Sequence, residues 1–435
     1  MHKDRSQIFE TLRENPEIDV LIVGAGINGI GTFRDLAYQG VRTVLIDKKD
    51  FCSGASAASS HMVHGGIRYL ENGEFRLVRE AVKERNRLIE NAPHLVAPLA
   101  TTIPIFNWTS GLLNAPLKFL NLLDRPSERG AIVIKLGLMM YDAYTSAQGT
   151  VPKHEFHMKQ ASMKQFPDLH PDLLCTATYY DAMMPSPERI CMELLSDAQL
   201  TSDEAIALNY VSIGQAKGSS VEIIDELTNG RLSLTPKIVI NAAGPWIDFA
   251  NQEMGQQTEF IGGTKGSHLV LDHPKLLEAI QGREFFFENE DGRIVLIYPF
   301  KHRVMIGTSD LRIDHPDNAV CTEEEIDYFL EMVERVFPNI QVNRSHIVFS
   351  FSGVRPLPAA KTNTTGQISR DHKIETIPAS TAANFPVLNL IGGKWTTFRA
   401  FSEKTADECL DELGRKRKIS FISIYIGIFL VLTEV

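Results

Sequence analysis

Asp19-Val20-Leu21-Ile22-Val23-Gly24-Ala25-Gly26-Ile27-Asn28-Gly29-Ile30-Gly31 is followed, after one helix length, by Val44-Leu45-Ile46-Asp47. The short run of Val, Leu and Ile before Gly24 predicts a strand buried on both faces, as in a parallel sheet. Gly24, Gly26 and Gly29 then allow a tight turn, close approach of a pyrophosphate to bare backbone, and close packing of helix on strand. Asp47 ends a second apolar run about 20 residues further on, where a carboxylate accepts hydrogen bonds from the hydroxyls of an adenosine ribose. Strand, glycine turn, helix and acid in this order predict a dinucleotide site. The acid at the ribose also disfavours a ribose carrying an extra phosphate.

Composition bounds the rest. The formal net charge is −10, which makes nucleic acid an improbable partner and makes any local cluster of cations informative. Cys52, Cys175, Cys191, Cys321 and Cys409 form no Cys-x-x-Cys pair, so no metal site is expected and the thiols suit a reducing cytoplasm. Residues 1–17 are polar and lack the pattern of a secretory signal. At the other end, Arg415-Lys-Arg-Lys418 precedes the apolar run Ile419–Leu432, which is shorter than the ~20 residues of a membrane-spanning helix. A basic cluster beside an apolar run is able to hold a chain at a membrane surface.

Beyond Asp47 the chain enters Ser53-Gly-Ala-Ser-Ala-Ala-Ser59-Ser60-His61-Met-Val-His64-Gly65-Gly66-Ile-Arg68. Small residues and glycines let backbone lie against a large planar ligand, while His61, His64 and Arg68 donate protons or hold anions. A nicotinamide enzyme would continue with further alternating strands and helices, so this loop points to a flavin. The run Asp19–Leu99, with Ser59–Glu71 and Glu74–Val78 inside it, resembles the FAD-dependent glycerol-3-phosphate dehydrogenase family. Further similar segments follow in the family's order: Leu136–Asp142, Asn241–Trp246, Lys265–His268, Gly307–Asp310, Ser352–Leu357 and Gly392–Thr397.

The resemblance implies an α/β fold: an FAD-binding Rossmann-like βαβ domain carrying an inserted mixed or antiparallel sheet, the substrate cap. On this reading residues 15–92, 186–258 and 349–412 form the FAD-binding domain and residues 93–185 and 259–348 the cap, while residues 413–435 form a basic-apolar tail that departs from the family and reads as a truncated or altered C-terminal domain. It implies oxidation of glycerol 3-phosphate to dihydroxyacetone phosphate, with the quinone pool as acceptor and oxygen as the alternative. It further implies a cytoplasmic protein in peripheral contact with the inner face of the membrane, and a homodimer. An amine or amino-acid oxidase of the same fold, or a flavin-binding protein without activity, are the competing readings.

The chemistry requires a base for the hydroxyl proton, positive charge beside the flavin, and cations for the phosphate. Arg meets phosphate with two parallel hydrogen bonds, so Arg68, Arg355 and Arg370 are the candidate clamp, with Lys394 nearby. His64 and His268 are the candidate bases, and residue types alone do not rank them. Lys394 and the amides near Thr396, at the start of a helix after Gly392-Gly393, would supply positive potential. By resemblance the cofactor contacts are Gly24, Gly26, Gly29, Asp47, Ser59, Ser60, His64, Gly65, Ala243, Gly244, Gly393, Lys394 and Thr396, and Arg355 and Lys394 join the histidines as catalytic residues. His61 departs from the family, which often has lysine there. The segment 72–92, dense in charges at i,i+4 spacing, reads as a solvated helical face. Apolar spacing over 106–123 reads as core or as an interfacial helix.

Overall fold

The computed structural model describes residues 4–67, 74–110, 130–145, 149–289, 293–359, 371–381, 383–420 and 426. Arg68, Arg370, most of the 106–123 stretch and most of the apolar run after Lys418 lie outside the described residues.

The opening apolar run forms the strand Glu17–Val23, the centre of a parallel array. Thr43–Ile46 and then Ala205–Leu208 lie on one side of it, Arg231–Asn241 and then Val387–Ile391 on the other. Antiparallel Lys373–Ile377 closes the edge. Alternate residues supply two cores. Val20 and Ile22 join Ile30, Phe33, Leu194 and Phe401 beneath the helices Ile27–Tyr38, Pro187–Thr201 and Phe398–Glu412. Leu21 and Val23 join Val44, Val221 and Val239 on the opposite face. Burial of both faces explains why these strands read as unbroken apolar runs.

The second sheet is mixed, as expected. Glu284–Glu288 runs parallel to Ala97–Ile105, and its other pairings are antiparallel. One face packs Leu269, Leu271, Phe285, Phe287, Val295 and Ile297 against Phe329, Val333 and Phe337. The other face looks toward the glycine-rich loop. Two boundary details differ from the expected division. Ile347–Arg355 hydrogen-bonds along Thr264–Leu271 and so continues the cap sheet rather than opening the third nucleotide-binding piece. Met62–Val63, inside the glycine-rich loop, pairs with Ala182–Met183 of the same sheet.

The charged helix Phe75–Asn91 is not simply a solvated face. Arg85 is buried with Asp181 at 3.0 Å, and Glu84 is buried against Arg399 at 2.6 Å. The i,i+4 pattern concealed this because the partners come from distant segments. The basic cluster after Leu413 is also partly engaged on its own domain. Arg417 holds buried Asp35 at 2.8 Å and Arg415 holds Asp19 at 2.9 Å.

Candidate active site

The glycine turn sits at the carboxyl end of the parallel strands. Gly24 has φ +102°, and a β-carbon there would lie 2.6 Å from the Ala242 carbonyl oxygen. At Gly29 it would lie 2.0 Å from the Gly24 carbonyl oxygen, so helix and strand touch backbone to backbone. Asp47 accepts from the Ala25 N–H at 2.7 Å and the Lys49 N–H at 2.9 Å. Burial pushes its pKa up against those donors. The carboxylate therefore buttresses the turn and keeps lone pairs for further donors. Ala243 and Gly244 follow Arg231–Asn241, and Gly244, at φ +58°, has no atom within 4 Å of a built β-carbon. Buried Asn241, Asn251 and Asn389 hydrogen-bond in series behind this loop.

The small-residue loop is fixed at several points. Ser56 Oγ accepts from the Ile27 N–H at 2.9 Å, and the Trp395 indole donates to the Ser56 carbonyl. Ser59 Oγ accepts from the His61 N–H, and Tyr298 donates to the Ser60 carbonyl at 2.7 Å. Thr396 donates to the His64 carbonyl at 3.1 Å. The Gly65 N–H donates to Asp181, which also takes Tyr141 at 2.7 Å and Arg85 at 3.0 Å. A β-carbon on Gly65 would lie 2.0 Å from the Tyr141 oxygen.

Three rungs of the cap sheet face this loop. His268 lies opposite Phe351, Gly266 opposite Gly353, and Thr264 opposite Arg355. His268 is buried, stacks on Phe351 at 4.9 Å, and its Nε2 lies 2.8 Å from Ser60 Oγ. Burial, then the charge of Arg355 and the nearness of His61, bring its pKa down to about 3. On the middle rung a β-carbon at Gly353 would lie 2.1 Å from the Ala58 carbonyl oxygen, so sheet and loop are in backbone contact. A β-carbon at Gly266 would lie 2.3 Å from Arg355 Nη2. The guanidinium therefore folds back over Gly266 toward His268. Asp310 accepts from it at 3.1 Å, Thr308 Oγ1 at 3.0 Å and the Ser309 carbonyl at 3.1 Å.

Lys394 stands in the turn after Gly392 and Gly393 (φ +78° and +86°), not at the helix start, because the helix begins at Phe398 behind its cap Thr397. Its charge reaches Glu80 and His372. Asn28 donates to the Gly392 carbonyl at 3.2 Å, bringing Gly393 against the dinucleotide helix.

The seam between loop, turn and cap fits a large polar ligand. Asn28 Oδ1, His61 Nδ1, His268 Nδ1 and Thr397 Oγ1 are buried there without a hydrogen-bond partner, a condition folded proteins avoid unless a ligand or water completes it. Sequence reasoning missed Asn28, Ser56, Tyr298 and Asp310 as parts of this site. Asn28 sits inside the glycine fingerprint and Asp310 inside a quoted segment, whereas Ser56 and Tyr298 carry no local signal.

A family model described as "FAD dependent oxidoreductase" matches residues 19–377. A glycerol-3-phosphate dehydrogenase of Synechocystis sp. is 36% identical over 425 residues, covering 92% of this chain and 71% of that protein. The mitochondrial glycerol-3-phosphate dehydrogenase of Mus musculus is 28% identical over 91% of this chain, which spans 53% of its length. The crystal structure of the Bacillus halodurans glycerol-3-phosphate dehydrogenase complexed with FAD superposes with a TM-score of 0.73 at 23% identity, over 99% of this chain and 73% of that one. The expected FAD cofactor and βαβ-plus-cap fold are thus upheld. This chain belongs to the FAD-dependent oxidoreductase family, within its glycerol-3-phosphate dehydrogenase branch.

Proposed function

We propose that this chain oxidises the secondary hydroxyl of sn-glycerol 3-phosphate to give dihydroxyacetone phosphate, and that a membrane quinone receives the electrons. The observation that carries the reading is that His268 and the Arg355 guanidinium, folded back over Gly266, stand together on the loop-facing side of the cap sheet. A three-carbon substrate lying there would have its hydroxyl at the imidazole and its phosphate at the guanidinium. FAD, when bound, supplies the two-electron acceptor that an alcohol oxidation needs. Gly26 and Gly244 would face its pyrophosphate, with Gly24 and Gly29 packed backbone to backbone to let it approach, Asp47 would face its ribose, and Ser59, Ser60, His64, Gly65, Gly393 and Thr396 its ring system.

His268 is the better placed of the two histidines. Neutral near pH 7, it can take the hydroxyl proton through the unpartnered Nδ1, with Ser60 holding Nε2 and so fixing the ring. So weak a base accepts the proton only as the departing hydride makes the hydroxyl acidic. Arg355 holds the phosphate, and Asp310 fixes the plane of its guanidinium. Arg68 and Arg370 would complete the clamp, and Lys394 would add positive potential. The two sheets support the three-piece division of the nucleotide-binding domain, its third piece starting after Arg355.

Peripheral membrane contact is supported by the helix Ala131–Thr145. It buries Leu138 and Tyr141 and turns Ile132, Leu136, Met139 and Met140 outward at helical spacing. The test of the reaction is anaerobic mixing of the FAD-loaded protein with sn-glycerol 3-phosphate while the flavin absorbance is followed. Rapid bleaching is expected, absent with glycerol and reduced roughly 1,000-fold in kcat/KM by Arg355→Ala, whose loss removes a bidentate charged contact. A yellow protein that stays yellow would rule out the substrate.

A further inference from the structure

The structure assigns Glu325 a positioning role: through Ser309 and Ser267 it sets the loop that aims Arg355 at the substrate phosphate, a role that rests on the substrate reading above. Glu325 is the third residue of the helix Glu323–Val336, on the side of the cap sheet away from the substrate rungs. Its capping box with Thr322 would account for one carboxylate contact, through the Thr322 N–H at 2.9 Å. The side chain does far more. It is buried and accepts from Lys265 Nζ at 2.7 Å, from Ser267 Oγ at 2.8 Å, and from Ser309 Oγ in a short hydrogen bond.

Each of those partners adjoins a residue of the site. Ser267 precedes His268, and its hydroxyl also meets Ser352, three residues before Arg355, at 2.7 Å. The Ser267 N–H donates to Ser309 Oγ at 2.9 Å. Ser309 lies between Thr308 and Asp310, and its own carbonyl receives Arg355 Nη2 at 3.1 Å. One carboxylate thus ties together three segments that carry His268, the guanidinium acceptors and Arg355. The hydrogen bonds of Lys265, Ser309, Thr322 and Ser267 outweigh burial and hold the carboxyl below its usual range, so it is ionised near pH 7. Lys265 balances the charge, which would otherwise be costly to bury. An anchor ionised and neutralised in this way can fix the loop without adding net charge beside the phosphate.

Ser309→Ala is the deciding variant, because it cuts the link to the loop and leaves the Lys265–Glu325 pair in place. Two quantities are measured on the FAD-loaded enzyme: the Kd of inorganic phosphate by calorimetry, and KM and kcat for sn-glycerol 3-phosphate. We expect both Kd and KM to rise about tenfold with FAD content and kcat within twofold, and Glu325→Gln to move them the same way. In the Arg355→Ala background, Ser309→Ala should change neither constant further. An unchanged phosphate Kd, or the same loss without Arg355, would overturn the role. Phosphate binding needs no turnover, so the outcomes separate. Phosphate affinity that depends on Ser309 and Arg355, without bleaching by glycerol 3-phosphate, would defeat the substrate reading and keep the positioning role. A wild-type enzyme that neither binds phosphate nor bleaches defeats both.

Discussion

Glu284 is a carboxyl group inside the strand Glu284-Phe-Phe-Phe-Glu288, buried on the face of the cap that looks toward the loop. Burial pushes its pKa up to about 8, with Asp181 adding to the rise and the 2.6 Å hydrogen bond from Thr101 opposing it. In the unfolded chain the same group titrates near an ordinary glutamate. Folding therefore takes up a proton between those values, and stability is lost as the pH rises from about 4.5 through 8. Glu284→Gln keeps the shape and removes the titration. Its gain over wild type should grow from about 1 kcal/mol at pH 5 to about 5 kcal/mol at pH 9, read from denaturant unfolding at each pH. A gain independent of pH would place the carboxyl in the usual range. The histidines act in the opposite direction. Burial lowers His268 to about 3 and His372 to about 4, so their contribution is complete above pH 6.5 and lost as the pH falls toward those values.

At the level of elements, the strands bring glycines against functional side chains. Gly307 lies opposite His268, and a β-carbon there would sit 2.2 Å from His268 Cδ2. Gly307→Ala should therefore displace the imidazole by about an ångström and lower the rate of flavin reduction by roughly two orders of magnitude. FAD content should be retained, since Gly307 is remote from the glycine turn; loss of the flavin instead would show that the strand's fold, not the ring, had failed. This pairing marks the limit of what the sequence carries. The dinucleotide unit is local, so Gly24 to Asp47 announces strand, turn, helix and acid in one span. His268 and Arg355 were legible as candidates only through resemblance, because a histidine in an apolar strand has no signature of its own. Their registration across the Gly266–Gly353 rung, and the grip of Glu325 on Ser309, depend on pairings between segments far apart in the chain. The charges of Arg85 and Glu84 were hidden by a helix pattern that ordinarily means solvent.

Across the whole molecule, two features bear on how the chain could meet a membrane, and they make opposite demands. A basic cluster attracts anionic lipid and is screened by salt, whereas an apolar stripe inserts and is not. In the folded chain Arg417 binds Asp35 and Asp407, and Arg415 binds Asp19. The net charge of −10 opposes an anionic surface as well. Leu136 and Met139, by contrast, are 59% and 55% exposed, on a helix whose other side is buried. No helix among the described residues is long and apolar enough to cross a membrane, so contact through this stripe would be peripheral. Binding to vesicles of a 4:1 phosphatidylcholine–phosphatidylglycerol mixture should therefore persist from 50 mM to 500 mM salt and fall at least tenfold in the Leu136→Glu/Met139→Glu double variant. Arg417→Ala should leave vesicle binding intact and instead cost about 3 kcal/mol of stability, because it strands the buried Asp35 carboxylate. Binding that disappears with salt, or with Arg417, would return the membrane contact to the basic cluster and leave the stripe to another partner.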